Sequence, residues 1–289
     1  MSETKVAVIT GSTGGIGDAI AEQLAASGWV LTLVNRNMEK AQHQKANLLS
    51  EHPGTRVDLI QADLLDVVQI QKAAAEILAL HPKIDALYNN SGVLTSQRVI
   101  SKQGHESNYA VNTLAPYVMI KALQSALARG ESDAKAMIVN TTSSAQNAAK
   151  SLDVGALSDP SDIGGLTGVY ATTKLALTTM GAAIAPALEN DGILLRSICP
   201  GPVITPMTKT SDAMPGILKL LVPILFKKPE KQAAKMISAA QPESCGGRTG
   251  IYLTNGREKP LPKLALDASL QSQLMKKLSE DAMVAETAA

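Results

Sequence analysis

Seven short runs of apolar, β-favouring residues punctuate the chain: VAVIT (6–10), WVLTLV (29–34), RVDLIQ (56–61), IDALYN (84–89), AMIVN (136–140), ILLRSI (193–198) and GIYLT (250–254). Between them lie longer stretches with apolar residues at helical spacing, such as DAIAEQLAASG and VVQIQKAAAEILAL. Strands that are apolar throughout, alternating with amphipathic helices, predict parallel βαβ units in a sheet covered on both faces. The expected fold is α/β, a Rossmann-type doubly wound parallel sheet of about seven strands with helices on both sides. Gly28 is placed to stop the first helix and Asp66 to cap the third, while Pro186 should kink or end the helix that begins at Tyr170.

No repeat or linker divides the 289 residues, so one domain over 1–289 is expected, with loop-like insertions near 145–168 and 205–228. The glycines and two aspartate-containing turns of the first insertion read as a mobile lid. A net charge of +1 and only seven aromatic residues give no basis for a nucleic-acid partner. MSETK lacks the features of a secretory signal, and no apolar run reaches the roughly 18 residues of a membrane span. The longest, 214–226, is broken by Pro215, Lys219 and Pro223. A cytoplasmic location without a transmembrane segment is therefore expected. Cys199 and Cys245 read as small buried residues, and Trp29 as packing. His43, His52, His81 and His105 read as surface residues without ligand spacing, so no metal site is expected.

STGGIG (12–17) stands between the first strand and the first helix. Gly11 permits a tight turn, Gly15 lets the backbone approach a pyrophosphate, and Gly17 allows close helix–strand packing. The helix N-terminus adds free N–H groups and a positive dipole end, so the expected ligand is an anionic dinucleotide. Tyr170 and Lys174 are four apart and share a helix face. An ammonium beside a phenol favours the phenolate and suits the pair to acid–base work.

TGSTGGIG, with three residues between its first two glycines, resembles the short-chain dehydrogenase/reductase family. ADL (62–64), NNSG (89–92), YAVNTLAP (109–116), IVNTTSS (138–144), YATTK (170–174) and PGPVITPM (200–207) follow in that family's order. The resemblance covers nearly the whole chain. It implies a catalytic set of Asn112, Ser143, Tyr170 and Lys174, with Ser144 a rival to Ser143 because TTSS reads in two registers. Tyr170 would exchange a proton with the substrate oxygen, Ser143 would polarise that oxygen, and Asn112 would hold a water leading to Lys174. It also implies cofactor contacts from Gly11, Ser12, Thr13, Gly15, Ile16 and Gly17. Asp63 and Leu64 would flank the adenine, followed by Asn90, Ser91 and Gly92. Tyr170, Lys174, Pro200, Gly201, Val203 and Thr205 would lie at the nicotinamide end.

Asn35 and Arg36 stand where relatives that prefer NAD place an aspartate for the ribose 2′-hydroxyl. An arginine there pairs instead with a 2′-phosphate, so NADP(H) is the preferred cofactor, with use of NAD(H) left open by Gly14 in place of a second basic residue. RNMEKAQ, GHESNYAVNTLAP, the 27-residue step from Ser143 to Tyr170 and the tail DASLQSQLMKKLSE resemble the branch of retinol-dehydrogenase-like and protochlorophyllide-reductase-like members. The reading is hydride transfer between nicotinamide and a carbonyl or secondary alcohol on a fairly apolar small molecule. Its substrate wall would come from Ser144, Leu218 and Leu221 with Ile217, Leu225 and Phe226. The same stripe also fits packing on the body or contact with a membrane surface. By resemblance, helices near 111–128 and 170–188 form a homodimer interface. Two other functions fit the same residues: a non-catalytic NADP(H) sensor or scaffold, and an epimerase or dehydratase using the Tyr–Lys pair.

Overall fold

The computed structural model describes residues 4–129, 135–213 and 226–283. One sheet contains β1 (Val6–Thr10), β2 (Val30–Asn35), β3 (Val57–Gln61), β4 (Ala86–Asn89), β5 (Ala136–Thr141), β6 (Ile193–Cys199), β7 (Ile251–Thr254) and β8 (Arg257–Lys259). Their spatial order is β3-β2-β1-β4-β5-β6-β7-β8. The first seven strands are parallel, in register from Val6 opposite Val30 to Cys199 opposite Thr254. These coincide with the seven apolar runs.

An eighth, short strand adds to the seven expected. Arg257–Lys259 folds back antiparallel on β7 through Asn255 and Gly256, both at positive φ (53° and 77°). An Asn-Gly pair suits that tight hairpin, whereas a three-residue polar, exposed strand leaves no hydrophobic period to detect.

One face of the sheet carries α1 (Gly15–Ala26), α2 (Met38–Glu51) and α8 (Pro229–Ala239). The other carries α3 (Val67–Leu80), α5 (Ala115–Leu127), α6 (Val169–Asn190) and the C-terminal α9 (Ala268–Ala282). Two short helices, α4 (Ser107–Tyr109) and α7 (Pro206–Thr210), lie in connections above the strand ends. Alternate residues of each strand serve the two cores: Ile9 and Val139 face one, Val8 and Ile138 the other. Each such fully buried side chain contributes about 1.5–3 kcal/mol. Asp66 caps α3 by accepting from the Val68 amide at 3.1 Å, and Asn37 caps α2 through the Lys40 amide at 2.9 Å. Gly28 follows α1 at φ +77°.

Helix α6 runs through Pro186 to Asn190 instead of ending there. The proline lies on the helix's exposed side, where the one lost amide bond is near water. His81 and His105 are buried, against expectation. His81 Nε2 pairs with Asp58 at 3.0 Å, and the His105 ring meets Tyr109 edge-on, so each has a partner that offsets its burial. Cys245 is half-buried in a tight turn at φ 54°, whereas Cys199 is buried as expected. Segment 145–168 is anchored rather than free: Leu152, Val154 and Leu157 are buried among α3, α5 and α6. Among the described residues no helix is long and apolar enough to cross a membrane.

Candidate active site

The strand order reverses between β1 and β4, and in doubly wound sheets ligands bind outside the carboxyl ends of the strands at this point. Here Thr10 and Asn90 cross-link the two strand ends. The Thr10 hydroxyl accepts the amides of Asn90 and Ser91, both at 3.1 Å, and the Asn90 side chain donates to the Gly11 carbonyl at 3.1 Å. Thr10 is a contributor that the glycine pattern did not single out.

The loop after β1 requires its glycines. A Cβ on Gly17 would stand 2.3 Å from the Gly11 oxygen and 2.5 Å from the Asn90 amide nitrogen. Gly11 has φ +65° and faces Ser91, while Gly15 has φ +61° and faces Thr205. Helix α1 begins after Gly14 with no side-chain cap, so its first amides are left to an external acceptor. This bare cradle fits a pyrophosphate. Thr13 and Ile16 complete it, with Ile16 buried beneath.

Ser12 and Asn35 are spent on holding that loop. The Ser12 amide donates to the Asn35 carboxamide oxygen at 3.0 Å, and Asn35 donates back to the Ser12 hydroxyl at 2.8 Å. Gln44 on α2, missed by sequence reasoning, accepts from the Ser12 hydroxyl at 2.8 Å and donates to the Ser12 carbonyl at 2.7 Å. Arg36 projects outward with a 77% exposed side chain, 3.8 Å from Asp63. Asp63 also accepts the Leu65 amide at 3.1 Å. Leu64 borders a small gap with Thr10, Asn89, Ser91 and Val111.

Beyond the switch point, a π-helical turn at Ala110–Leu114 interrupts the run from α4 to α5 and carries Asn112. Such turns are enriched at functional sites because they re-aim a side chain. Asn112 clamps Val93 twice, accepting its amide at 2.8 Å and donating to its carbonyl at 3.0 Å. It also donates to the Thr173 hydroxyl at 3.2 Å, reaching α6. Helix α9 supports the turn from behind: the Tyr109 hydroxyl donates to Asp281 at 2.7 Å. A Cβ on Gly92 would lie 3.2 Å from Asn112 Oδ1 and 3.3 Å from Lys174 Nζ, so the absent side chain keeps this space open.

Tyr170 and Lys174 share the inner face of α6, both buried. Lys174 Nζ donates to the Thr141 carbonyl at 2.9 Å and lies 5.9 Å from the Tyr170 ring centre. The Ser143 hydroxyl hydrogen-bonds the Tyr170 oxygen, whereas Ser144 is exposed. Geometry thus brings Ser143, rather than Ser144, to the tyrosine. Burial pushes the phenol up to about 12, opposed by the Ser143 hydrogen bond, and burial pushes the Lys174 ammonium down to about 8. The expected lowering of the phenol by the ammonium is not the net effect, because desolvation by burial dominates.

Thr205 caps α7 in a capping box with Thr208, and Pro206 packs against Gly14. Gly201 turns the chain at φ +78°, the Pro200 carbonyl accepts from Gln232, and Val203 is buried in the α1-side core. Around Tyr170 the structure gathers Leu94, Ala213, Ala145, Leu166 and Met207. Sequence reasoning had put the apolar wall at Ile217, Leu218, Leu221 and Leu225, which lie outside the described residues; Phe226 is half-buried. Away from this edge, Glu22, Glu51 and His52 bring ligand-type atoms within 4.8 Å of one another, with His52 paired to Glu22 at 2.5 Å.

A doubly wound sheet with a glycine cradle at its switch point, and a buried Tyr–Lys pair with Ser143 beside it, defines an NAD(P)-dependent oxidoreductase of Rossmann type. The short chain dehydrogenase family model matches residues 5–155, and the chain belongs to that family. It is 28% identical over 274 residues to short-chain dehydrogenase TIC 32 B, chloroplastic, of Brassica napus, covering 93% of this chain and 85% of that one. It is 26% identical to human retinol dehydrogenase 13 over 269 residues, 90% of this chain and 79% of that one. A solved short chain dehydrogenase from Burkholderia cenocepacia J2315 in complex with NADP superposes with a TM-score of 0.68 at 26% identity, covering 88% of this chain and 97% of that one.

Proposed function

We propose that the protein is an NADP(H)-dependent carbonyl reductase or secondary alcohol dehydrogenase of the cytoplasm, acting on a fairly apolar small molecule. The observation that carries this reading is the buried Tyr170 hydroxyl, held by Ser143 and flanked by Lys174 on one helix face at the sheet's carboxyl edge. Bound there, the dinucleotide supplies or accepts the hydride. The glycine cradle and the uncapped start of α1 would hold its pyrophosphate, Arg36 would pair with the 2′-phosphate, and Asp63 and Leu64 would take the adenine. Asn90, Ser91, Gly92 and the 200–205 loop line its path to Lys174.

In the reductive direction Tyr170 donates its proton to the carbonyl oxygen while Ser143 fixes that oxygen by a hydrogen bond. Lys174 keeps a positive charge next to the developing phenolate, and Asn112 positions the water that restores the proton. Leu94, Leu166, Met207 and Ala213 provide apolar contact around the tyrosine, which favours a substrate with little polar surface near its carbonyl. The solved NADP complex of a 26% identical relative supports the choice of cofactor. NAD(H) remains an alternative donor.

A homodimer through 111–128 and 170–188 would have to use the parts of these helices that the chain's own core leaves open. Helix α6 is buried from Val169 to Gly181 except at Thr172, and Leu274 and Leu278 of α9 fill the adjoining face within the same chain.

NADPH oxidation measured against a panel of apolar ketones, aldehydes and quinones tests the reading, with Tyr170→Phe as the control. Turnover by the parent and a loss of about 10²-fold or more in the variant is the expected result. Equal rates would remove Tyr170 as the acid.

A further inference from the structure

The two loops that flank the Tyr170 hydroxyl leave adjacent strands. Ser143 and Ser144 follow β5, and Pro200 to Thr205 follow β6. The last ladder bond between those strands is from the Thr142 amide to the Ile198 carbonyl at 2.9 Å. In a parallel ladder the next acceptor for Ser144 is the Pro200 carbonyl. That oxygen is taken by Gln232, and Gly201, at φ +78°, turns the chain away.

Cys199, the last residue of β6, lies where the strands part and is 1% exposed. Its sulfur accepts the Ser144 amide at 3.1 Å and the Gly201 amide at 3.3 Å. Its carbonyl accepts the Asn255 amide at 3.0 Å, so a third loop is tied to the same residue.

We propose that Cys199 is a positioning residue for the reaction assigned above, its sulfur clasping the serine loop to the 200–205 loop across Tyr170. The inference rests on the oxidoreductase reading. The clasp acts through a short chain of contacts. Its hydrogen bond to Ser144 fixes the residue next to Ser143, whose hydroxyl accepts the Ala145 amide at 3.2 Å and bonds Tyr170. A large, soft acceptor suits the place, since one sulfur atom spans two amides on diverging strands, whereas a smaller hydroxyl reaches less far. With the acceptor removed, the Ser144 and Gly201 amides both lose the one atom that ties them together, and the two loops are free to separate. Small displacements of a catalytic group lower the rate of the chemical step more than substrate binding.

Cys199→Ser keeps an acceptor, Cys199→Ala removes it, and Cys199→Val removes it while filling the volume. Each full-length variant is assayed with NADPH and a carbonyl that the parent reduces, with phenanthrenequinone as first probe. Thermal midpoints and the hydrogen exchange of the Ser144 and Gly201 amides are read alongside. The expected result is a fall in kcat of about tenfold or more for the alanine and valine variants with KM within about twofold. Exchange at both amides speeds up in those two variants, and Cys199→Ser recovers part of each effect. If kcat instead follows side-chain volume, with valine like the parent and serine like alanine, or if exchange is unchanged, the clasp is wrong. A parent that neither binds NADPH nor reduces any carbonyl would overturn the oxidoreductase reading, while the exchange data alone would still decide whether the sulfur holds the two loops.

Discussion

The proposed preference for NADP(H) over NAD(H) rests on Arg36, and its surroundings allow the effect of Arg36→Ala to be sized. Its side chain is 77% exposed and its charged partner among the described residues is Asp63 at 3.8 Å, so removal should leave folding almost untouched. A guanidinium bonded to a 2′-phosphate is a charge-assisted pair, and such bonds are worth about 1.5–3 kcal/mol. Exposure puts this one in the lower half, about 1.5–2 kcal/mol, which corresponds to about 10- to 30-fold in affinity. NADH has no phosphate there and loses nothing from the contact. The expected outcome is thus a rise of about 10- to 30-fold in the Kd and KM for NADPH, with the NADH values within about twofold. Steady-state kinetics with both dinucleotides and titration of NADPH fluorescence measure this directly. Arg36→Asp should go further, because a carboxylate repels the phosphate while accepting bonds from a ribose hydroxyl. If both dinucleotides weaken by one common factor, Arg36 does not read the 2′-phosphate and the preference lies elsewhere.

Three further outcomes are expected. Burial pushes Lys174 down to about 8 while Tyr170 sits near 12, so the cation is present below that pH and is lost as pH rises through it. The reductive kcat/KM, which reports the free enzyme, should fall above about pH 8, and Lys174→Arg should move that limb upward; a limb unchanged in the variant would assign it to another group. Gly17→Ala forces a Cβ to 2.3 Å from the Gly11 oxygen, which should lower stability by about 1–3 kcal/mol and weaken NADPH binding, read by thermal melting and fluorescence; normal binding at an unchanged melting temperature would contradict the tight packing. The fully buried Arg196 bonds the carbonyls of Ala239, Gln241, Pro242, Ser244 and Arg248, so Arg196→Met should cost about 3 kcal/mol or more and make the 239–248 turn sensitive to protease, with unaltered melting and cleavage as the contrary result.

What sequence could reveal followed from which physical constraints are periodic and which are local to three dimensions. The parallel strands were legible because a strand buried on both faces is apolar at every position, and the glycine loop because each of its glycines answers a steric demand. The hairpin strand Arg257–Lys259 was not, since its pairing depends on a turn and on backbone bonds rather than on side-chain pattern. His81 and His105 were misplaced for a related reason: Asp58 and Tyr109, which make their burial tolerable, are distant in sequence or face them only after folding. The titration of the Tyr170–Lys174 pair shows the limit most clearly. Spacing on a helix fixes that the two share a face, but it says nothing of how deeply α6 sinks against the sheet. That depth decides the sign of the phenol's shift, because desolvation grows with burial and here outweighs the Ser143 hydrogen bond that favours the phenolate.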